Sequence, residues 1–202
     1  FDMPNNSPAC TSIEQIERKK GIASQKSLIH YNFYIGATNE NIDELITVEN
    51  VAGIKIFMGS STGDLLVDDP RILESIFRDS NKLIAVHAEN EEMVQEKMLA
   101  FKGSTDVSDH MRIRYPEAAL RATQEAVRLA QLYEQRLHIL HLTTEEEVQW
   151  LSQTPLNGLV SAEVCVQHLL LSAPTAYSDL GTFAQINPPI RDVRHQKALW
   201  KG

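Results

Sequence analysis

Three residues of this chain belong to types that do chemistry and sit where such types are unexpected. Lys55 lies inside Gly53-Ile54-Lys55-Ile56-Phe57-Met58, with apolar, β-prone neighbours on both sides. A lysine in a central strand is costly unless its charge is paired, removed or chemically changed. On an edge strand it would simply reach water, and the hexamer alone leaves both readings open. His87 ends the run Leu83-Ile84-Ala85-Val86-His87, and His141 ends Leu137-His138-Ile139-Leu140-His141. Each histidine falls near the C-terminal end of a run that reads as a parallel strand, the edge where barrel enzymes assemble their sites. A single histidine there has an ordinary structural reading. Two histidines and a strand-borne lysine on three successive strands weaken that reading for the set.

His138 competes with His141. The two are three positions apart, so in a regular strand they point to opposite faces and only one can share a site. His141 is nearer the strand end and is the expected site residue. His138 is assigned to packing or the outer layer.

The elements that must position these residues alternate between short β-rich runs and amphipathic helical stretches, which suggests βα units and a parallel sheet. Strands are expected at Leu28–Ile35, Gly53–Met58, Leu83–His87, Leu137–Leu142 and Gly158–Cys165. Helices are expected at Asn41–Val48, from Pro70 to about Arg78 with Asp69 as cap, at Glu91–Phe101, from Pro116 to about Gln135, and at Glu145–Leu151. Gly59–Gly63 and Lys102–Asp109 read as loops, and His168–Gly202, with Pro174, Pro188 and Pro189, as irregular. Strands this apolar need cover on both faces, as in a barrel or a doubly wound sheet, and periodicity alone does not separate the two.

At 202 residues the chain has room for one domain with a sizeable core. A formal net charge of −8 with no block of like charges argues against a nucleic-acid or anionic-membrane partner. No apolar run approaches the roughly 20 residues that span a bilayer, and no basic start followed by an apolar stretch opens the chain. Cys10 and Cys165 are too few and scattered for a disulfide framework, and read as buried thiols in a reducing cytoplasm. Phe1-Asp2-Met3-Pro4 reads as the tail of a strand and Ala198–Gly202 as the middle of a helix, so the chain is expected to be a fragment.

The set Met3-Pro4-Asn5, Lys55-Ile56-Phe57-Met58, Val86-His87-Ala88-Glu89 and His138-Ile139-Leu140-His141 resembles the cyclic amidohydrolases of the amidohydrolase superfamily, a group that includes dihydroorotases, dihydropyrimidinases (hydantoinases) and allantoinases. The resemblance covers essentially the whole chain, in order; its motifs are jointly specific although each is weak alone. It implies an α/β fold, a TIM-like (β/α)8 metal-dependent hydrolase barrel truncated here to about strands 2–7, so that residues 1–202 form one partial barrel domain. It also implies a two-metal centre, usually zinc, bridged by a lysine carboxylated by CO2. By that match Lys55 is the bridge, and His87 and His141 ligate the second metal.

Within the group, Met3-Pro4-Asn5 followed by Pro8, Phe33-Tyr34-Ile35-Gly36, and Ile186-Asn187-Pro188-Pro189-Ile190-Arg191 look most like dihydroorotases. That likeness implies Asn5 at the substrate carboxylate and Asn187 beside the pyrimidine ring. The bland reading of both asparagines is turn chemistry beside proline. The implied reaction is reversible hydrolysis of L-dihydroorotate to N-carbamoyl-L-aspartate by a cytoplasmic homodimer acting on a small molecule. A dihydropyrimidinase, an allantoinase or a catalytically silent scaffold of the same fold remain as alternatives.

The chain departs from the pattern in three places. The family's Pro-His-His-Leu stretch is replaced by Val166-Gln167-His168-Leu169, so His168 receives no role. The first-strand His-x-His pair and the general acid/base aspartate of the eighth strand are expected before Phe1 and after Gly202, which leaves no catalytic residue within this chain. The 202 residues alone are therefore expected to hold little or no zinc and to keep Lys55 as a free amine.

Overall fold

The computed structural model describes residues 1–59 and 65–202; the greater part of the expected Gly59–Gly63 loop lies outside the described residues. Five strands, β1 (Tyr34–Gly36), β2 (Gly53–Phe57), β3 (Ile84–His87), β4 (Leu137–Ile139) and β5 (Val160–Ala162), form one sheet in sequence order with every neighbouring pair parallel. Helix α1 (Ile13–Lys26) precedes β1; α2 (Ile42–Thr47), α3 (Pro70–Asp79), α4 (Glu91–Ala100), α5 (Asp109–Ile113), α6 (Pro116–Leu132) and α7 (Glu145–Gln153) occupy the crossovers; α8 (Val166–Leu170), α9 (Thr175–Leu180) and α10 (Val193–Leu199) follow β5.

Alternation along the strands separates two faces. Ile54, Ile56, Ile84, Val86, Leu137 and Ile139 are fully buried in one core with Leu73, Ile76 and Phe77 of α3 and Ala122, Ala126, Leu129 and Ala130 of α6. The alanines let α6 lie close to the sheet. On the other face the register runs Gly36, Lys55, Ala85, His138, Ser161 across all five strands, and Tyr34, Ala85 and Leu140 make a small cluster with Met3 and Ala52.

Local signals set the helix starts. Asp69 accepts from the Arg71 amide, with Pro70 in the first turn. Ser12 and Gln15 form a reciprocal capping box on α1, as do Thr144 and Glu147 on α7. Before β1, Asp2 bridges Phe33 in parallel, so the start of the chain runs as an extended segment beside the sheet.

Several boundaries differ from those the sequence suggests. The Leu28–Ile35 run forms a strand only from Tyr34, and Leu28 and Ile29 are 100% and 80% exposed. Strand-forming composition does not suffice where no neighbouring strand lies alongside. β4 ends at Ile139, and His141 adopts a left-handed φ of 43°. The Gly158–Cys165 strand is confined to Val160–Ala162. The segment after His168, expected to be irregular, contains α9, a 3-10 turn (Gly181–Ala184) and α10; Asp192 caps α10 by accepting from the Arg194 amide. The prolines lie outside these helix interiors, which is why they do not prevent them. α1 has no counterpart among the expected elements, because it buries only Ile16 fully and so carries little apolar periodicity. Cys10 is buried and Cys165 only half-buried, and both are free thiols. No helix among the described residues is long and apolar enough to cross a membrane.

Candidate functional site

Lys55 sits in β2, which is paired on both sides by β1 and β3. The edge-strand reading is thereby removed: the residue is 2% exposed, in the middle of the sheet. Its Nζ donates to the Ile56 carbonyl at 3.1 Å and lies 4.0 Å from the centre of the Phe57 ring. Burial holds its pKa well below the usual lysine range, with the Glu163 carboxylate opposing only in part. The strand geometry thus favours an uncharged amine with a free lone pair.

His87 closes β3, and His141 follows β4 by two residues. The rings approach edge to face, with centroids 4.9 Å apart, and His87 Nδ1 faces His141 Nε2 at 3.3 Å. Burial lowers the pKa of both imidazoles; for His141 the charges of His87 and Lys55 act in the same direction. His141 Nδ1 is sealed from solvent with no hydrogen-bond partner among the described residues.

The opposite-faces argument that separated His138 from His141 rests on a strand that continues through both, and this strand does not. By register His138 shares the row and face of Lys55, not the outer layer, and is bonded to Ser161 Oγ at 2.8 Å and Glu163 Oε2 at 3.3 Å. His141 reaches His87 because the left-handed turn after Ile139 redirects it.

A buried polar network backs the pair. Glu89, fully buried, places Oε2 2.7 Å from His87 Nε2, and the same oxygen accepts from Arg114 Nη1. Burial raises the Glu89 pKa, but the His87 hydrogen bond and the charges of Arg114 and Arg191 outweigh it and leave a depressed value. Arg191 donates through Nη1 to the Arg114 carbonyl at 2.7 Å and through Nε to Thr143 Oγ1 at 3.0 Å. In the sequence Glu89 stands only as part of a motif, and neither Arg114 nor Arg191 is assigned a role there. The one local sign in the sequence was an acidic residue two positions after a strand-end histidine.

Asn187 and Asn5 are both exposed, and among the described residues neither shares a hydrogen bond with Lys55, His87 or His141. Asn187 is nevertheless held on both sides. His110 Nε2 bonds the Ile186 carbonyl at 2.8 Å and His168 Nε2 bonds the Pro188 carbonyl at 3.1 Å. His168, given no role from sequence, is 5% exposed and fixes this segment. Asn5 lies on the turn between Pro4 and Cys10, whose amide donates to the Pro4 carbonyl at 2.8 Å.

Among the described residues no group of three or more His, Cys, Asp and Glu side chains could hold a metal ion. What converges is two imidazoles, close to a buried lysine. Those donors fit a borderline-soft divalent cation, since neutral imidazole nitrogens are ordinary zinc ligands, and two nitrogen atoms facing each other at 3.3 Å suit a shared ion.

No family model matches the chain. Among curated proteins it is 30% identical over 213 residues to a dihydroorotase of Methanosarcina acetivorans, covering 100% of this chain and 45% of that protein. It is 33% identical over 187 residues to a D-hydantoinase of Streptomyces coelicolor (86% and 40%). Among solved structures, the L-hydantoinase (dihydropyrimidinase) from Arthrobacter aurescens superposes with a TM-score of 0.90 at 25% identity, over 98% of this chain and 46% of that one. The chain is a relative of the cyclic amidohydrolases. Its α/β fold is a portion of a TIM-like barrel, as in the hydantoinases. This amidohydrolase relative spans just under half the length of the curated proteins it matches. An allantoinase of Deinococcus radiodurans is similar at 29% identity, over 100% of the chain and 47% of that protein, so identity alone does not rank the substrates.

Proposed function

We propose that the protein carrying this chain is a zinc-dependent dihydroorotase that interconverts L-dihydroorotate and N-carbamoyl-L-aspartate. The observation that carries the hydrolase reading is the pair of facing nitrogens, His87 Nδ1 at the end of β3, beside the strand bearing buried Lys55, and His141 Nε2 two residues beyond β4. The dihydroorotase choice is supported by the Asn5 and Asn187 motifs and by dihydroorotase relatives aligned over 95–100% of the chain. The D-hydantoinase and allantoinase similarities favour a second reading, a cyclic amidohydrolase acting on a related ring.

In this reading His87 and His141 would hold zinc through their imidazole nitrogens, and carboxylated Lys55 would add oxygen ligands. Burial favours the neutral amine of Lys55, and addition of that amine to CO2 with loss of one proton would give an anionic carbamate, a two-oxygen ligand in place of an uncharged nitrogen. The bound metal supplies Lewis acidity and a water of lowered pKa. Asn187, fixed by His110 and His168, and Asn5 hold the substrate ring and carboxylate, keeping the reacting atoms aligned. The proton-transferring aspartate belongs, by the same resemblance, to a later strand. A small-molecule substrate, a homodimer and a cytoplasmic setting compatible with the free Cys10 and Cys165 thiols complete the reading.

The test is Lys55→Ala in the intact protein, with activity toward carbamoyl-aspartate, dihydrouracil and allantoin measured beside metal content. Loss of activity together with bound zinc supports the centre; survival of both removes Lys55 from it. Turnover of dihydrouracil or allantoin in preference to carbamoyl-aspartate would replace the dihydroorotase reading by the second one.

A further inference from the structure

We infer that Glu89 is a positioning residue that fixes His87 in a single tautomer, with the proton on Nε2 and the Nδ1 lone pair aimed at His141. The inference deepens the metal reading above and rests on it only for the consequence for zinc, not for the tautomer.

An ionised carboxylate accepts hydrogen bonds and cannot donate them, so the imidazole nitrogen that faces it must carry the hydrogen. His87 Nε2 stands 2.7 Å from Glu89 Oε2, and both side chains are out of water, 2% and 0% exposed. Arg114 also donates to that oxygen, which provides the counter-charge that a fully buried carboxylate requires. The remaining ring nitrogen, Nδ1, is then bare and faces His141 Nε2.

Backbone contacts hold Glu89 in place independently of the histidine. The Met58 amide donates to the His87 carbonyl at 3.0 Å, and the Asn90 amide to the Ala118 carbonyl at 2.9 Å, so the chain is pinned on both sides of Glu89. At Gly59 an added Cβ would lie 2.7 Å from the Glu89 carbonyl oxygen and 2.8 Å from its Cβ, a close approach that only glycine permits. Through Arg114, whose carbonyl accepts from Arg191, the same carboxylate is tied to the segment that carries Asn187. A carboxylate that sets both the tautomer and the ring orientation of a histidine ligand raises its basicity toward a metal.

Long-range proton–nitrogen NMR correlation on 15N-labelled protein reads the tautomer directly, with His87→Asn identifying the signals. The wild type is expected to show protonated Nε2 and bare Nδ1. Glu89→Gln, which keeps an oxygen acceptor, is expected to preserve that pattern. Glu89→Met removes the acceptor, should populate both tautomers, and should weaken zinc binding in a chelator competition by about 10–100-fold. A wild-type proton on Nδ1, or an unchanged tautomer in Glu89→Met, overturns the inference; if Glu89→Met does not fold, the wild-type spectrum decides. The expected tautomers without zinc binding in any form would leave the role of Glu89 standing and sink the metal reading instead.

Discussion

Arg191 Nε donates to Thr143 Oγ1 at 3.0 Å, joining residues 48 positions apart and tying the exit of β4 to the segment that carries Asn187. Arg191 is buried, and its second bond runs to the Arg114 carbonyl. Its planar fork serves both acceptors at once, which a lysine ammonium on a flexible stem does not reproduce. Arg191→Met is expected to destabilise the fold by about 2–4 kcal/mol, because it strips bonds from buried acceptors and a counter-charge from Glu89. Arg191→Lys should recover less than half of the loss. Urea denaturation of the three forms checks this, and a fully stable Arg191→Met would show that the network is dispensable.

Glu147 gives a pH dependence of a definite sign. Fully out of water, its carboxyl accepts from Thr123 Oγ1 at 2.8 Å and Thr144 Oγ1 at 2.7 Å, yet burial raises its pKa above the ordinary 4.5. A carboxyl whose pKa is higher folded than unfolded favours the folded state most below the unfolded value, and that contribution is lost as pH rises through the folded value. Glu147→Gln removes the titration. Relative to wild type, the variant should therefore gain stability as pH rises from about 4 toward neutrality. Thermal unfolding across that range checks it; a difference that is flat or of opposite slope would contradict the assignment.

How much of this could be read in the sequence follows from which forces acted. Apolar strands flanked by capped helices were legible because Asp69-Pro70 and the alanines of α6 act locally, through hydrogen bonds and periodicity. The convergence of His87 and His141 was legible only as two strand ends. The left-handed turn that brings His141 across is not announced by its sequence, since histidine tolerates that conformation better than most residues but adopts it in only a small minority of cases. Arg114, Glu89 and Arg191 meet through contacts 25 and 77 residues apart. No local pattern encodes such meetings, and so the network behind the site could be seen only in three dimensions. Leu28 and Ile29 are the converse case, apolar residues whose composition promised a strand that no neighbour was there to complete.

The cap of α3 separates charge from hydrogen bonding. Asp69 accepts from the Arg71 amide and side chain, and these contacts bring its pKa down to about 2. A carboxyl with a depressed folded pKa contributes stability above its unfolded value and loses it as pH falls through about 2. Asp69→Asn keeps an acceptor at the cap and should abolish the loss of stability between about pH 4 and pH 2. Asp69→Ala should abolish it and also weaken the helix at neutral pH. Circular dichroism of acid titrations on the three proteins distinguishes these outcomes, and an unchanged acid transition in Asp69→Asn would remove the charge from the argument.

Two glycines should respond in opposite directions to the same substitution. At Gly53, where β2 begins, an added Cβ would lie 2.3 Å from the Leu83 carbonyl oxygen, an atom of the adjoining backbone that cannot swing aside. Gly53→Ala must therefore push β2 away from the chain entering β3, and a loss of about 1–3 kcal/mol is expected from such overpacking. The shift would be felt two residues later at Lys55. Gly21 lies in the middle of α1 with nothing within 4 Å of the position its Cβ would take. There alanine lowers the entropy of the unfolded chain without meeting any atom, and Gly21→Ala should stabilise by about 0.5–1 kcal/mol. Denaturant midpoints of the two variants against wild type carry the test. A Gly21→Ala protein no more stable than wild type would mean that α1 contributes little to the cooperative unit, whereas a tolerated Gly53→Ala would contradict the close β2–β3 approach on which the placement of Lys55 beside the histidine strands depends.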